Sequence, residues 1–372
     1  MESKVKKVEL IELFYDLIYV YAISRLTLLM EEPEGGIVTW EMATVFIIFF
    51  LVIVQTWFMM TRYVNHCCSW RWYDYVLLVT NMAFVVLMTQ SISADPDTTS
   101  TALLISLTMM TVCIIALYLS YYLGDGEHKT FARHNILMLI PMVAVFSVIL
   151  ALDLTGFDRI ARYIVAVNLL IGFVLPLTSR DDEGARCSHF PHLVERMELF
   201  TIIMFGEALV SITGFFSLTD PSPLGVMNFL IIFTMFGYYV CQVHLICDHH
   251  QVVRADRMVG CHYLIYLAIS LITVAFTFID GGEVDPMLSA SLAAVSMLIF
   301  VFSVQATSGY NHPGFRVDRK DLAIRLLMVV VGAAVMFAFH GEPYSVSIGA
   351  LIGFGLNLAF SRMRYCSATD PA

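Results

Sequence analysis

Charged residues are scarce in this chain. Only 14% of its 372 residues are Asp, Glu, Lys or Arg, against 59% hydrophobic, whereas soluble proteins carry roughly 25% charged residues. Such a composition cannot cover a soluble globule with polar surface, and a lipid-facing exterior is the natural resolution. The sequence also lacks a Gly-rich phosphate loop, a Ser-His-Asp arrangement placed by motif and a basic aromatic platform. Soluble-enzyme readings then have little to stand on, and no nucleic-acid partner is expected. No small-residue cleavage site follows the opening Lys4, Lys6 and Lys7, so the first hydrophobic stretch is expected to stay attached rather than be removed as a signal peptide. Of eight cysteines, Cys67, Cys68, Cys187, Cys247, Cys261 and Cys366 fall between or after hydrophobic stretches, while Cys113 and Cys241 lie within them. A disulfide framework is not expected.

What fills the chain instead is a series of apolar runs, each about 20 residues long and able to cross a bilayer as a helix. In the first half they cover Glu9 to Met30, Val38 to Thr61, Tyr73 to Ser93, Thr101 to Leu123, Arg133 to Leu152 and Arg159 to Leu177. The second half continues with His192 to Ser217, Leu224 to Ile246, His262 to Asp280, Met287 to Gln305, Leu322 to His340 and Tyr344 to Ser361. The expected fold is all-α: a polytopic transmembrane helix bundle of about twelve helices with no soluble domain left over.

The basic residues are unevenly placed. With the amino terminus in the cytoplasm, sixteen of the twenty-one Lys and Arg fall in inner segments, among them Lys4, Arg71, Lys129, Arg186, Arg257 and Arg319. The outer turns are short and acidic, as in Glu31-Glu32-Pro33-Glu34 and Asp95-Pro96-Asp97. This asymmetry predicts both termini on the cytoplasmic side of the membrane. The net charge of −10 then reflects outer acids rather than an acidic partner. Tyr63 and the run Trp70-Arg71-Trp72-Tyr73 are expected as interfacial anchors.

Sliding the chain by half its length, 186 of 372 residues, aligns Val8-Glu9-Leu10-Ile11-Glu12-Leu13-Phe14 with Val194-Glu195-Arg196-Met197-Glu198-Leu199-Phe200, five identities in seven positions. Arg71 then meets Arg257 and Arg133 meets Arg319. Two six-helix repeats are predicted, residues 1–186 and 187–372. Six crossings give both copies the same orientation, with a pseudo-twofold axis along the membrane normal. The first and seventh spans become equivalent and are the leading candidates for a functional seam.

In the first span Glu9, Glu12 and Asp16, at i, i+3 and i+7, share one helical face. Acids in a first turn favour the positive end of the helix dipole, which accounts for Glu9 and Glu12 structurally; Asp16 lies two turns in. The seventh span repeats the pattern as Glu195 and Glu198, but Ile202 replaces the aspartate, and Arg196 and Glu207 appear on another face. Those two are roughly 16 Å apart along a helix. An ionisable group at such depth costs at least about 2.5 kcal/mol and marks a functional site by default. Arg196 is a candidate partner for Asp16 or Glu12, and Glu207 is expected to find its partner on another helix. A structural hydrogen bond to a polar residue such as Asn81 or Asn228 is the alternative. His189, His192 and Glu195, and Cys247-Asp248-His249-His250, lack a recognised zinc spacing, so no metal and no cofactor is expected.

The residues Glu12-Leu13-Phe14-Tyr15-Asp16-Leu17, together with His192-Leu193-Val194-Glu195-Arg196, Leu199-Phe200 and Gly206-Glu207, resemble the bacterial low temperature requirement A family. That family typically shows a Glu-Leu-Phe-Phe-Asp-Leu opening and a later His-x-x-Glu-Arg, Leu-Phe and Gly-Glu run. Tyr15, Arg25 and Ala208 depart from its usual pattern. The resemblance spans the chain and implies a role in growth at low temperature without supplying a substrate, reaction or cofactor. Phe14-x-Asp16 with Ala22-Ile23 also looks like the opening of the two-repeat lysosomal potassium channel family, which favours a channel over an enzyme.

The expected function is a transporter or channel for a small solute, ion or proton. Its pathway residues would be Glu9, Glu12, Asp16, His192, Glu195, Arg196, Glu198 and Glu207. The lipid bilayer is the expected partner, with a homo-oligomer left open. Two alternatives stand beside it: a non-transporting sensor or scaffold responding to bilayer fluidity in the cold, and a membrane-embedded enzyme using the His and acid groups at the inner side.

Overall fold

The computed structural model describes residues 6–30, 38–92, 101–124, 128–153, 189–216, 223–281, 284–315, 317–342 and 344–369. The protein is all-helical, 86% helix, with no strand among the described residues; a lone antiparallel bridge joins Cys247 to Asn311. Among the described residues, eleven long helices run in chain order: α1 (Leu10–Leu28), α2 (Trp40–His66), α3 (Trp72–Gln90), α4 (Thr101–Leu123), α5 (Lys129–Asp153), α6 (Phe190–Ser211), α7 (Pro223–Tyr239), α8 (Asp256–Gly281), α9 (Pro286–Ala306), α10 (Arg319–Ala338) and α11 (Ser345–Thr369). The expected span from Arg159 to Leu177 lies outside the described residues, so eleven of the twelve expected positions carry a helix.

Ten of the eleven are long and apolar enough to cross a membrane. The exception is α1, whose 19 residues include Glu12, Asp16 and Arg25. Its charges, not its length, set it apart, and two of them are buried against protein.

Local chemistry explains several boundaries. The carboxylate of Glu12 accepts the backbone N–H of Glu9 at 3.1 Å, closing the first turn of α1, and Asp74 does the same for Arg71 ahead of α3 at 2.9 Å. Such contacts satisfy donors that a helix start leaves without partners. Asp285 caps α9 through the N–H of Met287 at 2.9 Å, with Pro286 in the first helical position, where its missing N–H costs nothing. Between α2 and α3 the chain turns through Trp70 at φ 55°, a left-handed conformation rarely adopted by bulky residues. Beyond Tyr239, α7 continues as a π-helix, Val240–Ile246, where a single expected span ran without a break; wider turns of this kind recur at functional sites.

The chain divides into two compact units. The first contains the described parts of Met1–Leu29, Trp40–Arg196 and Gln251–Asp256; the second contains those of Met30–Thr39, Met197–His250 and Arg257–Ala372. In the first unit α1 packs on α2 and α3, α4 packs on α2, α3 and α5, and the opening turns of α6 belong to the same body. In the second, α11 packs on α7, α9 and α10, and the Ser296 hydroxyl ties α9 to the carbonyl of Ala268 on α8 at 2.7 Å. Exposed Leu322, Ile324, Leu326, Leu327, Val330 and Val331 make the outer side of α10 apolar, as a lipid-facing surface requires. Tyr63 departs from its expected anchoring role: it is buried, and its hydroxyl donates to Asp74 at 2.6 Å. Trp72 is 76% exposed and keeps an anchor's position.

Candidate functional site

The first unit encloses an ionic cluster between α1, α2 and the start of α6. On α1, Glu12, Tyr15, Asp16, Tyr19 and Ile23 line one buried face, the face that the i, i+3, i+7 spacing predicts. Glu12 and Asp16 are 1% and 0% exposed, and Arg196, near the start of α6, is 1% exposed. The guanidinium of Arg196 bridges both acids: Nη1 donates to Oε2 of Glu12, and Nη2 donates to Oδ1 of Asp16 at 2.5 Å. From α2, the indole Nε1 of Trp57 donates to the same Asp16 oxygen at 2.7 Å, and its ring lies 5.7 Å from the guanidinium carbon, within cation–π range.

A second set of contacts orients the cluster from the helix ends. Asn65, on the last turn of α2, accepts the N–H of His189 at 3.1 Å and donates to the carbonyl of His189 at 2.9 Å. This double contact assigns its amide oxygen and nitrogen. The amide nitrogen also lies 3.1 Å from Nδ1 of His192; because that nitrogen can only donate, Nδ1 accepts and the neutral ring carries its proton on Nε2. Nε2 faces Oε1 of Glu12 at 3.4 Å. The chain Asn65, His192, Glu12, Arg196, Asp16, Trp57 is therefore continuous.

Two atoms in this chain are left over. Oδ2 of Asp16 and Nε of Arg196 are buried without a hydrogen-bond partner. Two carboxylates face one guanidinium, which leaves one formal negative charge while His192 is neutral. Below Asp16, the Tyr15 hydroxyl donates to Oδ1 of Asn81 at 2.9 Å and lies 2.8 Å from the Tyr19 hydroxyl, and Asn81 donates to the carbonyl of Met110 at 3.0 Å. These contacts hold the face of α1 against α3 and α4.

A polar cavity of about 580 Å³ opens at the end of the first unit where α1, α3, α5 and α6 begin. Asn65 and His189 belong to its lining, so the chain of contacts runs from this cavity into the spanning helices. Lys6 also lines it and donates to the carbonyls of Val64 and of Cys68, the latter at 3.3 Å. Burial lowers the Lys6 pKa and pushes the Cys68 thiol up to about 12, so that cysteine is a neutral wall, not a nucleophile.

The remaining expected pathway residues are dispersed. Glu9 is exposed ahead of α1 and borders the cavity, and Glu195 is exposed on α6. Glu198 lies in the second unit, 3.2 Å from Nδ1 of His244 on the π-helix and 3.9 Å from Nε2 of His249. Glu207, also in the second unit, is half-buried, and its carboxylate makes no hydrogen bond or ion pair among the described residues. Among the described residues, no group of three or more His, Cys, Asp and Glu is arranged to hold a metal ion.

Trp57, Asn65, Tyr15, Tyr19 and Asn81 complete the cluster; the sequence puts Tyr19 on the acid face, marks Tyr15 as a departure from the family pattern and offers Asn81 as an alternative partner for Glu207, but it singles out neither Trp57 nor Asn65. An aromatic or amide in an apolar helix gives no local sign of a charge partner many residues away. No curated protein matches the chain. The family model described as bacterial low temperature requirement A protein matches residues 7–357, a stretch that contains Glu12, Asp16, His192 and Arg196, and the chain, a multi-span helical membrane protein, belongs to that family.

Proposed function

We propose that this chain is a transporter or channel for a small solute, ion or proton in the bacterial cell membrane, with Glu12, Asp16 and Arg196 as the charged centre of its pathway. The observation that supports this reading is the buried, incompletely paired cluster: two carboxylates against one guanidinium, with an oxygen of Asp16 left without a donor. Such a group in a spanning segment is expensive and is kept where ions or protons are handled. A proton or monovalent cation taken up at Asp16 would cancel the residual charge. His192, held in one tautomer by Asn65, would link that event to the polar cavity.

In the same proposal the two six-helix repeats cover 1–186 and 187–372, with both termini cytoplasmic. Similar local geometry supports the repeat: a side chain grown on Gly124, just past α4, would lie 3.2 Å from Arg71, and one on Gly309, just past α9, would lie 2.7 Å from Arg257. The two arginines are the pair that the half-length offset aligns.

The test is flux in liposomes. Wild type and Asp16→Asn, both folded and inserted, are compared for proton and monovalent-cation movement under an imposed gradient. Loss of flux by tenfold or more in the variant is expected. Equal flux from the two proteins, or none above empty liposomes, removes Asp16 from an ion pathway. The near-complete burial of the cluster favours one other reading, a non-transporting sensor or scaffold in which Arg196 is an internal anchor. Under it, Asp16→Asn changes stability and leaves every flux untouched.

A further inference from the structure

Among the described residues, the side chains that line the cavity at the start of α1, α3, α5 and α6 carry more positive than negative charge. Lys6, Lys7 and Arg71 face it against Glu9 and Asp74, which leaves one positive charge before the imidazoles of His66, His128 and His189 are counted. Asp74 is already committed: it is 3% exposed, takes the Tyr63 hydroxyl at 2.6 Å and takes the N–H of Arg71 at 2.9 Å. The opposing negative helix ends are covered as well. Lys6 binds the carbonyl of Val64 in the last turn of α2 and that of Cys68 just past it, and Arg71 lies against Gly124 at the end of α4. Lys7 is exposed and makes no hydrogen bond or ion pair among the described residues.

We propose that this cavity is an anion site that takes a single phosphate group, with Lys7, His128 and His189 as its principal contacts. Its volume of about 580 Å³ holds a phosphate with several waters and falls within the usual range of small-molecule sites. Donors converging from separate helix starts match a tetrahedral oxyanion, which accepts from several directions, better than a planar carboxylate. Neither α5 nor α6 carries an acid in its own first turn, which suits an anion beside those helix starts. Burial, and then the charge of Lys6, hold the His189 pKa down in the empty site; an anion would relieve that penalty. The phosphate belongs either to a lipid headgroup, since the cavity lies at the ends of spanning helices, or to a water-soluble molecule.

The site does not depend on the transport reading, because binding is measured at equilibrium without a gradient. Inorganic phosphate is titrated calorimetrically into purified protein in dodecyl maltoside at constant ionic strength, with chloride as the comparison. Saturable phosphate binding is expected for wild type, weakened tenfold or more in Lys7→Gln/His128→Gln. Thermal unfolding checks that the variant keeps its fold, and His189→Gln supplies a second variant if it does not. Short-chain phosphatidylglycerol is then added as a competitor: competition assigns the cavity to a headgroup, and its absence assigns it to a soluble phosphate. Absence of saturable binding, binding equal to that of chloride, or affinity unchanged in every folded variant overturns the proposal.

Discussion

The Nη2 of Arg196 on α6 reaches Oδ1 of Asp16 on α1 across 2.5 Å, in a spot where both side chains are at most 1% exposed. Glu12 shares the same guanidinium. The unit of charge is therefore a triplet, not a pair, and this changes what a substitution should do.

Arg196→Gln leaves two buried carboxylates facing each other. Removing one partner of a buried ion pair typically costs about 3–5 kcal/mol, and thermal unfolding of the purified protein should show a loss of that order. The neutral triple variant Glu12→Gln/Asp16→Asn/Arg196→Gln should recover most of it. The exchange Asp16→Arg with Arg196→Asp should not, because it places an aspartate beside Glu12. Recovery by the exchange would show that Glu12 contributes little.

Trp57→Phe keeps most of the ring volume and removes the indole donor to Asp16. A hydrogen bond to a charged group contributes about 1.5–3 kcal/mol, so unfolding should shift by that amount. A double-mutant cycle with Asp16→Leu should give a coupling of about 0.5–3 kcal/mol. Additive effects would mean that the contact carries no energy.

How much of this was legible follows from the kind of residue involved. Asp16 stands out because a charge two turns into an apolar run has no bland explanation, and the half-length repeat exposes Arg196 as an intruder at the position of Leu10, whereas Glu12 also reads as an ordinary first-turn acid. The helices themselves were readable from hydropathy, Thr101–Leu123 to the residue. Asn65 and Trp57 were silent: neutral side chains in α2 reveal nothing about the acid or imidazole they meet across the fold. The cavity was silent for the same reason, since it is assembled from several helix ends. The π-helix after Tyr239 was also hidden, because Val240–Ile246 is as apolar as the turns before it.

Close packing in the second unit gives a prediction independent of function. A Cβ on Gly332 of α10 would meet the carbonyl oxygen of Gly349 on α11 at 2.5 Å, and one on Gly349 would meet that of Gly332 at 2.5 Å. Small residues let spanning helices approach this closely. Gly332→Ala and Gly349→Ala should each lower the unfolding temperature, because backbone must move. Gly355→Ala, where nothing lies within 4 Å on the same helix as Gly349, should be neutral or stabilise by up to about 1 kcal/mol through helix propensity. Equal effects at all three sites would argue against the close crossing.

The last prediction concerns pH. His189 is held below its ordinary pKa by burial first, then by the charges of Lys6, His192 and His128 around it; Asn65 holds its backbone N–H and carbonyl. An anion in the cavity favours the imidazolium, so binding should raise that pKa and take up protons. Sulfate is the better probe here, because it stays doubly charged through the range in which imidazoles titrate and phosphate does not. Its affinity should fall as pH rises through roughly 5 to 7, around the ordinary histidine pKa of about 6.5, and level off once the imidazoles are neutral in both states. Calorimetry in buffers of different ionisation enthalpy should then count a net proton uptake below neutrality. His189→Gln should flatten the slope. Proton release on binding, or a slope unchanged in His189→Gln, would show that His189 does not face the anion.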